Sequence, residues 1–173
     1  VGNNANTGTS ASAPKRDLSG VNVNSLPAGS QLLFARGGVW TNVQTQVYNY
    51  NVTPAQPLVF DAYGSGAAPW LKTGSGGIIF SFSQYAVTTV DGGYTIRNLR
   101  LDGEGVGTTA ISQGNGTTNI LMENLDISRF TIGLSLNDGA RFLTLRNSVV
   151  HDNIQHGMLG AGDDWMIEGN TFQ

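Results

Sequence analysis

The fold of this chain is decided by the stretch Thr95-Ile96-Arg97-Asn98-Leu99-Arg100-Leu101, which recurs as Leu121-Met122-Glu123-Asn124-Leu125-Asp126-Ile127 and as Thr144-Leu145-Arg146-Asn147-Ser148-Val149-Val150. A partial fourth copy is Met166-Ile167-Glu168-Gly169-Asn170-Thr171-Phe172. When the copies are aligned on their second residue, they lie 26, 23 and 22 residues apart. Repeats of this length indicate a solenoid, in which each turn buries its apolar face against the next. Apolar residues two positions apart predict that the repeating unit is built from strands.

Composition agrees with an all-β solenoid. The 173 residues include 24 glycines and no cysteine, and only 12% of them are charged. Many small and polar residues between short β-branched runs are typical of a turn-rich β protein. No segment keeps apolar residues at the spacing of a helix through several turns. The absence of cysteine excludes disulfides, thiolate catalysis and cysteine-ligated zinc.

Charge limits the partners that the chain can take. The formal net charge is −3 and the pI is near 5.1, whereas proteins that bind nucleic acid usually carry a basic face. No apolar run approaches the roughly 20 residues that cross a bilayer. We therefore expect no nucleic-acid partner and no membrane span, and an uncharged, sugar-rich or cationic partner stays open.

Two segments differ in character. Residues 1–17 are polar and small, which predicts a flexible leader. Residues 18–173 form the predicted β-helix domain. The chain stops at Gln173 directly after a strand-like run, and solenoid ends need caps to cover the ladder edge. We therefore expect either a longer protein cut at this point or an end that is covered by something else, including end-to-end self-association.

Two outward columns support the register of the repeats. Asparagine falls at the same bend of each full copy, where it tolerates left-handed backbone and can form a ladder of side-chain amides; these residues are Asn98, Asn124 and Asn147. The position before the bend alternates in charge, as cross-strand neighbours of opposite sign would; the residues are Arg97, Glu123, Arg146 and Glu168. We interpret both columns as structural, with a carbohydrate-binding use of the charged face as the alternative.

The repeats with asparagine at the bend resemble the pectin-lyase-like superfamily. So do the segments 26–40, which reads LPAGSQLLFARGGVW, and 60–70, which reads FDAYGSGAAPW. The resemblance covers residues 18–173 and implies a single-stranded right-handed parallel β-helix of about five coils. It also implies a secreted or cell-surface protein of bacterial origin. Lyases, hydrolases, epimerases, phage tailspikes and adhesins share this fold, so the resemblance alone does not select a function.

The resemblance implies where a substrate would lie. Members of the superfamily hold it in a groove along one parallel sheet, which here would be made of residues 110–112, 133–136 and 157–160. The turns that enter this sheet are residues 102–108, 128–131 and 151–155. Ser135 would face the substrate from the middle strand.

A cluster in the entering turns suggests lyase chemistry. Arg129, His151 and Asp152 lie on adjacent predicted coils, and Arg129 would abstract a proton beside a uronate carboxylate if its surroundings lowered its pKa. Oxygen ligands from Asp102, Glu104 and Asp152 would hold Ca²⁺, which is the cofactor that the sequence suggests. The alternative is a solvated turn with an ion pair between Arg129 and Asp152.

A second cluster suggests glycoside hydrolysis. Asp163 and Asp164 follow the last groove strand, and Asp138 lies one predicted coil earlier. Paired carboxyl groups of this kind serve as acid and as base or nucleophile. Trp165 would stack on a sugar ring beside them. The alternative is an ordinary turn pair of aspartates with a tryptophan that packs the end of the coil.

Two functional hypotheses result. The first is an extracellular carbohydrate-active protein, a polysaccharide lyase or hydrolase or part of one. The second is a non-catalytic module that binds carbohydrate, mediates adhesion or assembles with itself.

Overall fold

The chain is an all-β parallel solenoid of about five coils in its computed structural model. The structure describes residues 2–82, 91–114 and 116–173, and only the backbone of Asp91 and Asp138. Each coil contributes short strands that pair in parallel with the coils before and after it. Across these residues there is one short 3₁₀-helix, Val23–Ser25, and no α-helix. The predicted fold class is therefore confirmed.

The strand bounds in the described residues follow the predicted repeats. In chain order they are β1 Gln31–Ala35, β2 Val39–Trp40, β3 Thr45–Val47, β4 Leu58–Tyr63, β5 Trp70–Lys72, β6 Ile78–Phe82, β7 Asp91–Arg97, β8 Arg100–Gln113, β9 Thr117–Glu123, β10 Asp126–Arg146, β11 Val149–His151, β12 His156–Asp163, β13 Met166–Glu168 and β14 Thr171–Phe172. β8 and β10 run on through positions that the sequence predicts as turns. The strands bend there because left-handed residues such as Glu104 (φ 53°) and Arg129 (φ 62°) interrupt the regular pleat.

One interior column runs through the repeats. Parallel pairing joins each member to the next; the column is Leu32, Phe60, Ile96, Met122, Leu145 and Ile167. Phe60, Ile96, Met122 and Leu145 are fully buried. Because adjacent apolar side chains stack at the strand spacing of about 4.8 Å, they exclude water continuously along the axis. Ile167, in the last coil, is 45% exposed.

The two outward columns also take the predicted register. Arg97 pairs with Glu123, Glu123 with Arg146, and Arg146 with Glu168. Arg146 donates to Glu123 at 2.9 Å, whereas Arg97 donates to Asp61 of the preceding coil at 2.7 Å. The asparagines at the bends are left-handed, and Asn124 donates to Asn98 at 3.3 Å.

The amino-terminal region covers the first coil. Residues 2–17 form turns without a strand or helix, joined for example by the bond from Asn3 N to Pro14 O at 3.0 Å. Leu18, Val21, Val23 and Leu26 then pack against the hydrophobic core. The flexibility of the leader and the boundary at residue 17 stay predictions.

The predicted groove strands form one sheet, which we call the groove sheet. It consists of β3, β6, the end of β8, the middle of β10, and β12. Three serines come into register on its outer face, Ser81 with Ser112 and Ser112 with Ser135. Leu134 of this sheet points inward and is fully buried. The sheet therefore has an apolar inner face and a hydroxyl-lined outer face.

The last coil leaves apolar side chains accessible. Met166 is 53% exposed, Phe172 is 46% exposed and Leu159 is 47% exposed. Self-association through this edge stays a prediction. Within the described residues, no helix has the length and apolar character to cross a membrane.

Candidate functional site

The turns that enter the groove sheet bring charged residues into one stack. Lys72 pairs with Asp102, Asp102 with Ser128, and Ser128 with His151. Asp102, Ser128 and His151, the first residues of the three predicted turns, therefore lie in register on adjacent coils. We call the charged and aromatic side chains of this stack and their bonded neighbours the turn cluster, which comprises Trp70, Lys72, Arg100, Asp102, Glu104, Asp126, Arg129, His151 and Asp152.

Asp102 is the centre of the turn cluster. Its side chain is fully buried, and both of its carboxylate oxygens accept hydrogen bonds. Arg129 donates through Nε at 2.9 Å to Oδ1 and through Nη2 to Oδ2, and Trp70 donates through its indole at 2.9 Å to Oδ2. The backbone N–H of Glu104 donates to Oδ1 at 2.8 Å. Burial alone would raise the pKa of Asp102, but the hydrogen bonds from Arg129 and Glu104 outweigh it and hold the pKa below its usual range.

Arg129 is a structural cation in this geometry. Its hydrogen bond with Asp102 raises the pKa of the guanidinium, which is the opposite of what a base requires. The predicted role of Arg129 as a proton-abstracting base required a lowered pKa, and that requirement is not met. The sequence also suggested an ion pair with Asp152, whereas the guanidinium binds Asp102.

The predicted Ca²⁺ ligands do not assemble. Among the residues that the structure describes, no group of three or more His, Cys, Asp or Glu side chains is placed to share a metal ion. The carboxylate oxygens of Asp102 accept hydrogen bonds from Arg129 and Trp70, and Glu104 accepts a hydrogen bond from Lys72 at 2.8 Å. Because these carboxylates already have cationic or N–H partners, Asp102, Glu104 and Asp152 do not form the predicted metal site.

Two cations that lie close to the Trp70 ring extend the turn cluster towards the amino terminus. Lys72 lies 4.1 Å and Arg100 lies 4.2 Å from the centre of the Trp70 ring. These contacts hold the indole so that its N–H meets Asp102. Sequence reasoning did not place these three residues together with Asp102. The available signal was the spacing of the coils, because Trp70 and Arg100 occupy equivalent strand positions.

His151 bridges two carboxylates. Its Nδ1 lies 2.8 Å from Asp152 and its Nε2 lies 3.2 Å from Asp126. The bond to Asp152, followed by the one to Asp126, raises the pKa of the imidazole although partial burial opposes it. The sequence identified His151 and Asp152 but missed Asp126, which stands on the strand before Arg129.

The turn cluster has no excess of positive charge. Its cations are Lys72, Arg100 and Arg129, and its anions are Asp102, Glu104, Asp126 and Asp152. His151 adds a fourth cation when it is protonated. Such a surface attracts neither a polyanion nor a polycation strongly.

The described residues of the second predicted cluster each have different surroundings. Asp163 forms an exposed ion pair with Arg141 at 3.0 Å. Asp164 is exposed and left-handed, with φ 58°. The side chain of Asp138 lies outside the described residues, so its distance to Asp163 stays untested. Trp165 is half-buried, packs against the core and donates its indole N–H to the carbonyl of Ala140 at 2.9 Å.

Ser135 lies where the sequence placed it, on the outer face of the groove sheet. It is half-buried, like Ser81 and Ser112, and it pairs with Ser112 on one side and Leu159 on the other. The three small side chains form a hydroxyl-lined strip on this face. This strip runs across three adjacent coils, about 10 Å in all.

Fold and site define a β-solenoid with a polar outer strip and a wall of paired charges. No protein-family model matches the sequence, and no curated protein matches it. Solved structures do match the fold. The GH136 lacto-N-biosidase from Eubacterium ramulus aligns with a TM-score of 0.63 at 19% identity in its native form, and with 0.62 at 22% as the selenomethionine derivative. Both alignments cover 86% of this chain and 32% of that one, so this chain spans about a third of their length.

A further match is to an alginate lyase from Paenibacillus sp. str. FPU-7, with a TM-score of 0.49, 13% identity, and coverage of 87% of this chain and 71% of that one. The GH136 neighbour is a carbohydrate-active enzyme. At 19% and 22% identity, the similarity to its two structures shows the solenoid fold alone.

Proposed function

We propose that this chain is the carbohydrate-binding β-helix part of a secreted or cell-surface bacterial protein that acts on polysaccharide. An uncharged polysaccharide lies along the groove sheet, over Ser81, Ser112 and Ser135. The turn cluster forms one wall of that path. The observation that carries the proposal is the row of three half-buried serines in register on adjacent coils.

The serine row offers what an extended glycan requires. Each hydroxyl can donate and accept a hydrogen bond, and its small side chain lets a sugar ring approach the sheet closely. Repeated at the strand spacing, the hydroxyls present the same contact several times along one line. The turn cluster carries no excess of positive charge, which favours a neutral polymer over a uronate polymer.

Binding accounts for the described side chains better than catalysis does. Arg129 is held by the fully buried carboxylate of Asp102, whereas Asp163 and Arg141 form an exposed pair. A group fixed in a buried ion pair, as Arg129 is, stabilises the fold more readily than it acts as an acid or a base. The chain spans about a third of the length of its GH136 neighbours.

Isothermal titration with a panel of neutral and uronate polysaccharides tests the proposal. The double variant Ser112→Leu/Ser135→Leu fills the strip and is expected to weaken binding of a neutral polymer at least tenfold. Thr144→Leu is the matched control, because Thr144 is half-buried on the outer face of a different sheet. Equal affinity in the double variant, or a preference for uronate polymers, would overturn the proposal.

Catalysis is the second candidate function, and His151 favours it. This imidazole is partly exposed, its pKa is raised, and it stands at the wall of the groove. A protonated histidine there would donate a proton to a glycosidic oxygen after releasing Asp126 or Asp152, which now occupy its two ring nitrogens. Incubation with the same panel distinguishes the reactions, because a lyase yields an unsaturated product that absorbs in the ultraviolet and a hydrolase yields reducing ends alone. The absence of both signals with every polymer would refute an enzymatic role for this chain.

A further inference from the structure

A cavity of about 590 Å³ opens between the leader and the first coil. Its lining includes Arg16, Asp17, Leu18, Trp40, Asn42 and Gln44. Trp40 ends β2 and pairs with Leu71, the neighbour of Lys72. The cavity therefore lies at the amino-terminal end of the row of turns that contains the turn cluster, outside the serine row.

We propose that this cavity is a second binding site, which takes a single uncharged sugar unit. For the class of ligand, the inference rests on the proposed function. Its location and its contacts are independent of the serine row. The volume falls within the roughly 300–1,000 Å³ range of small-molecule pockets.

The charged part of the lining is neutral as a pair. Arg16 Nε lies 3.2 Å from Asp17 Oδ2, and Asp17 Oδ1 accepts from Asn4 and from the backbone of Ser19, both at 2.8 Å. The bonds from Ser19 and Asn4 hold the pKa of Asp17 well below its usual range. A charged ligand would leave this pair unbalanced, whereas a sugar hydroxyl can donate to the carboxylate and accept from the guanidinium.

Trp40 supplies the apolar surface. Its ring meets Phe34 edge to face, with centres 5.2 Å apart and planes at 84°, which fixes the indole in position. Sugar rings carry C–H faces that pack on such a ring, and their hydroxyls then point to the rim. A fixed aromatic ring beside polar groups pre-organises the site and lowers the ordering cost of binding.

Two amides complete the rim. Asn42 and Gln44 are exposed at the turn that enters the groove sheet, and each carries both donors and an acceptor. Asn42 is left-handed, with φ 56°, which turns the chain at the mouth of the cavity. Ionic, amide and aromatic groups around one small space match a neutral polyol. A purely apolar ligand would have to desolvate the ion pair without replacing its hydrogen bonds.

The test uses methyl glycosides of neutral hexoses and of N-acetylhexosamines as probes. Binding is followed in ¹⁵N NMR spectra through the indole N–H of Trp40, assigned with a Trp40→Phe variant. We expect this resonance to move on titration. The double variant Asn42→Gly/Gln44→Ala is expected to weaken binding at least fivefold, and glycine at residue 42 keeps the left-handed backbone accessible.

The matched control is Asn119→Gly/Gln31→Ala, which changes another left-handed asparagine and another exposed glutamine. Unaltered affinity in the pocket variant, or an indole resonance that does not move, overturns the pocket even if polysaccharide binds through the serines. Loss of binding in the pocket variant alone, with no effect of Ser112→Leu/Ser135→Leu on polymer, supports the pocket and refutes the serine row. If no sugar binds at all, both the pocket and the serine row are refuted as binding sites.

Discussion

Arg129 clamps the fully buried carboxylate of Asp102 from the next coil, with two hydrogen bonds from one guanidinium. The pair ties two adjacent turns together at the wall of the groove sheet. The two partners differ in exposure, since the Arg129 side chain is 44% exposed and that of Asp102 is inaccessible. The consequences of removing one partner are therefore unequal.

Replacing Arg129 should destabilise the protein measurably. Arg129→Met leaves Asp102 charged and buried, with Arg100 at 3.9 Å as a remaining ion-pair partner. Breaking a fully buried pair typically costs about 3–5 kcal/mol, and the exposure of Arg129 reduces our expectation to about 2 kcal/mol. Urea unfolding followed by circular dichroism measures this free energy.

Arg141→Met is the matched control for that experiment. Arg141 and Asp163 form an ion pair in which both side chains are mostly exposed. Exposed pairs contribute about 0–1 kcal/mol, so this variant should unfold close to the parent. A loss for Arg141→Met as large as that for Arg129→Met would show that burial of the carboxylate is not the cause.

Truncating side chains of the interior column should lower the stability of the protein by different amounts at different positions. Met122 is fully buried between Ile96 and Leu145, whereas Ile167 is 45% exposed. Truncating a buried side chain removes its burial and leaves a cavity, which costs about 3 kcal/mol for Met122→Ala. Ile167→Ala should cost less than about 1 kcal/mol, because little surface is lost from a half-open site. Equal losses in urea unfolding would contradict the stacking.

The interior column was predictable because one-residue shifts are forbidden. Moving Met122 by one position would turn its strand inside out, so the apolar pattern fixes the register without any side-chain detail. Asp61 escaped this reasoning. It begins the charge column by binding Arg97, but 36 residues separate the two, more than in the regular repeats, so no period connects them.

The asparagine bends should respond to backbone strain more than to lost hydrogen bonds. Asn124 has φ 52°, a region that costs an ordinary residue about 1 kcal/mol or more and that glycine enters freely. Both Asn124→Ala and Asn124→Gly lose the bond to Asn98, so their difference isolates the strain. Asn124→Ala should unfold about 1 kcal/mol more easily than Asn124→Gly. If glycine is the more damaging of the two, its larger loss of backbone entropy on folding outweighs the strain.

Side-chain partners in the turn cluster were less predictable than the stack itself. The register brings Asp102, Ser128 and His151 together, yet it does not decide which carboxylate receives Arg129. That choice depends on the left-handed turn at Arg129 and on burial of Asp102, where an unpaired charge would be costly. The metal and base hypotheses failed at this level, because each needed groups that the ion pairs already occupy.

His151 should make stability depend on pH in a defined direction. Its pKa is raised in the folded protein above an ordinary value of about 6.5, chiefly by Asp152 and Asp126. A raised histidine pKa means that the folded state binds the proton more tightly than the unfolded state. Its contribution is therefore complete below about pH 6.5 and disappears as pH rises through the folded pKa. Because the ion pairs are partly exposed, we expect at most about 1 kcal/mol.

The measurement compares the parent with His151→Gln in urea unfolding at several pH values. The stability difference between them should be largest near pH 6 and should shrink as pH rises past the folded pKa of His151. His156→Gln is the matched variant, since it alters the other, exposed histidine. A difference for His151→Gln that grows with pH would mean that the neutral imidazole is the favoured form. The bridge between Asp126 and Asp152 would then not hold a cation.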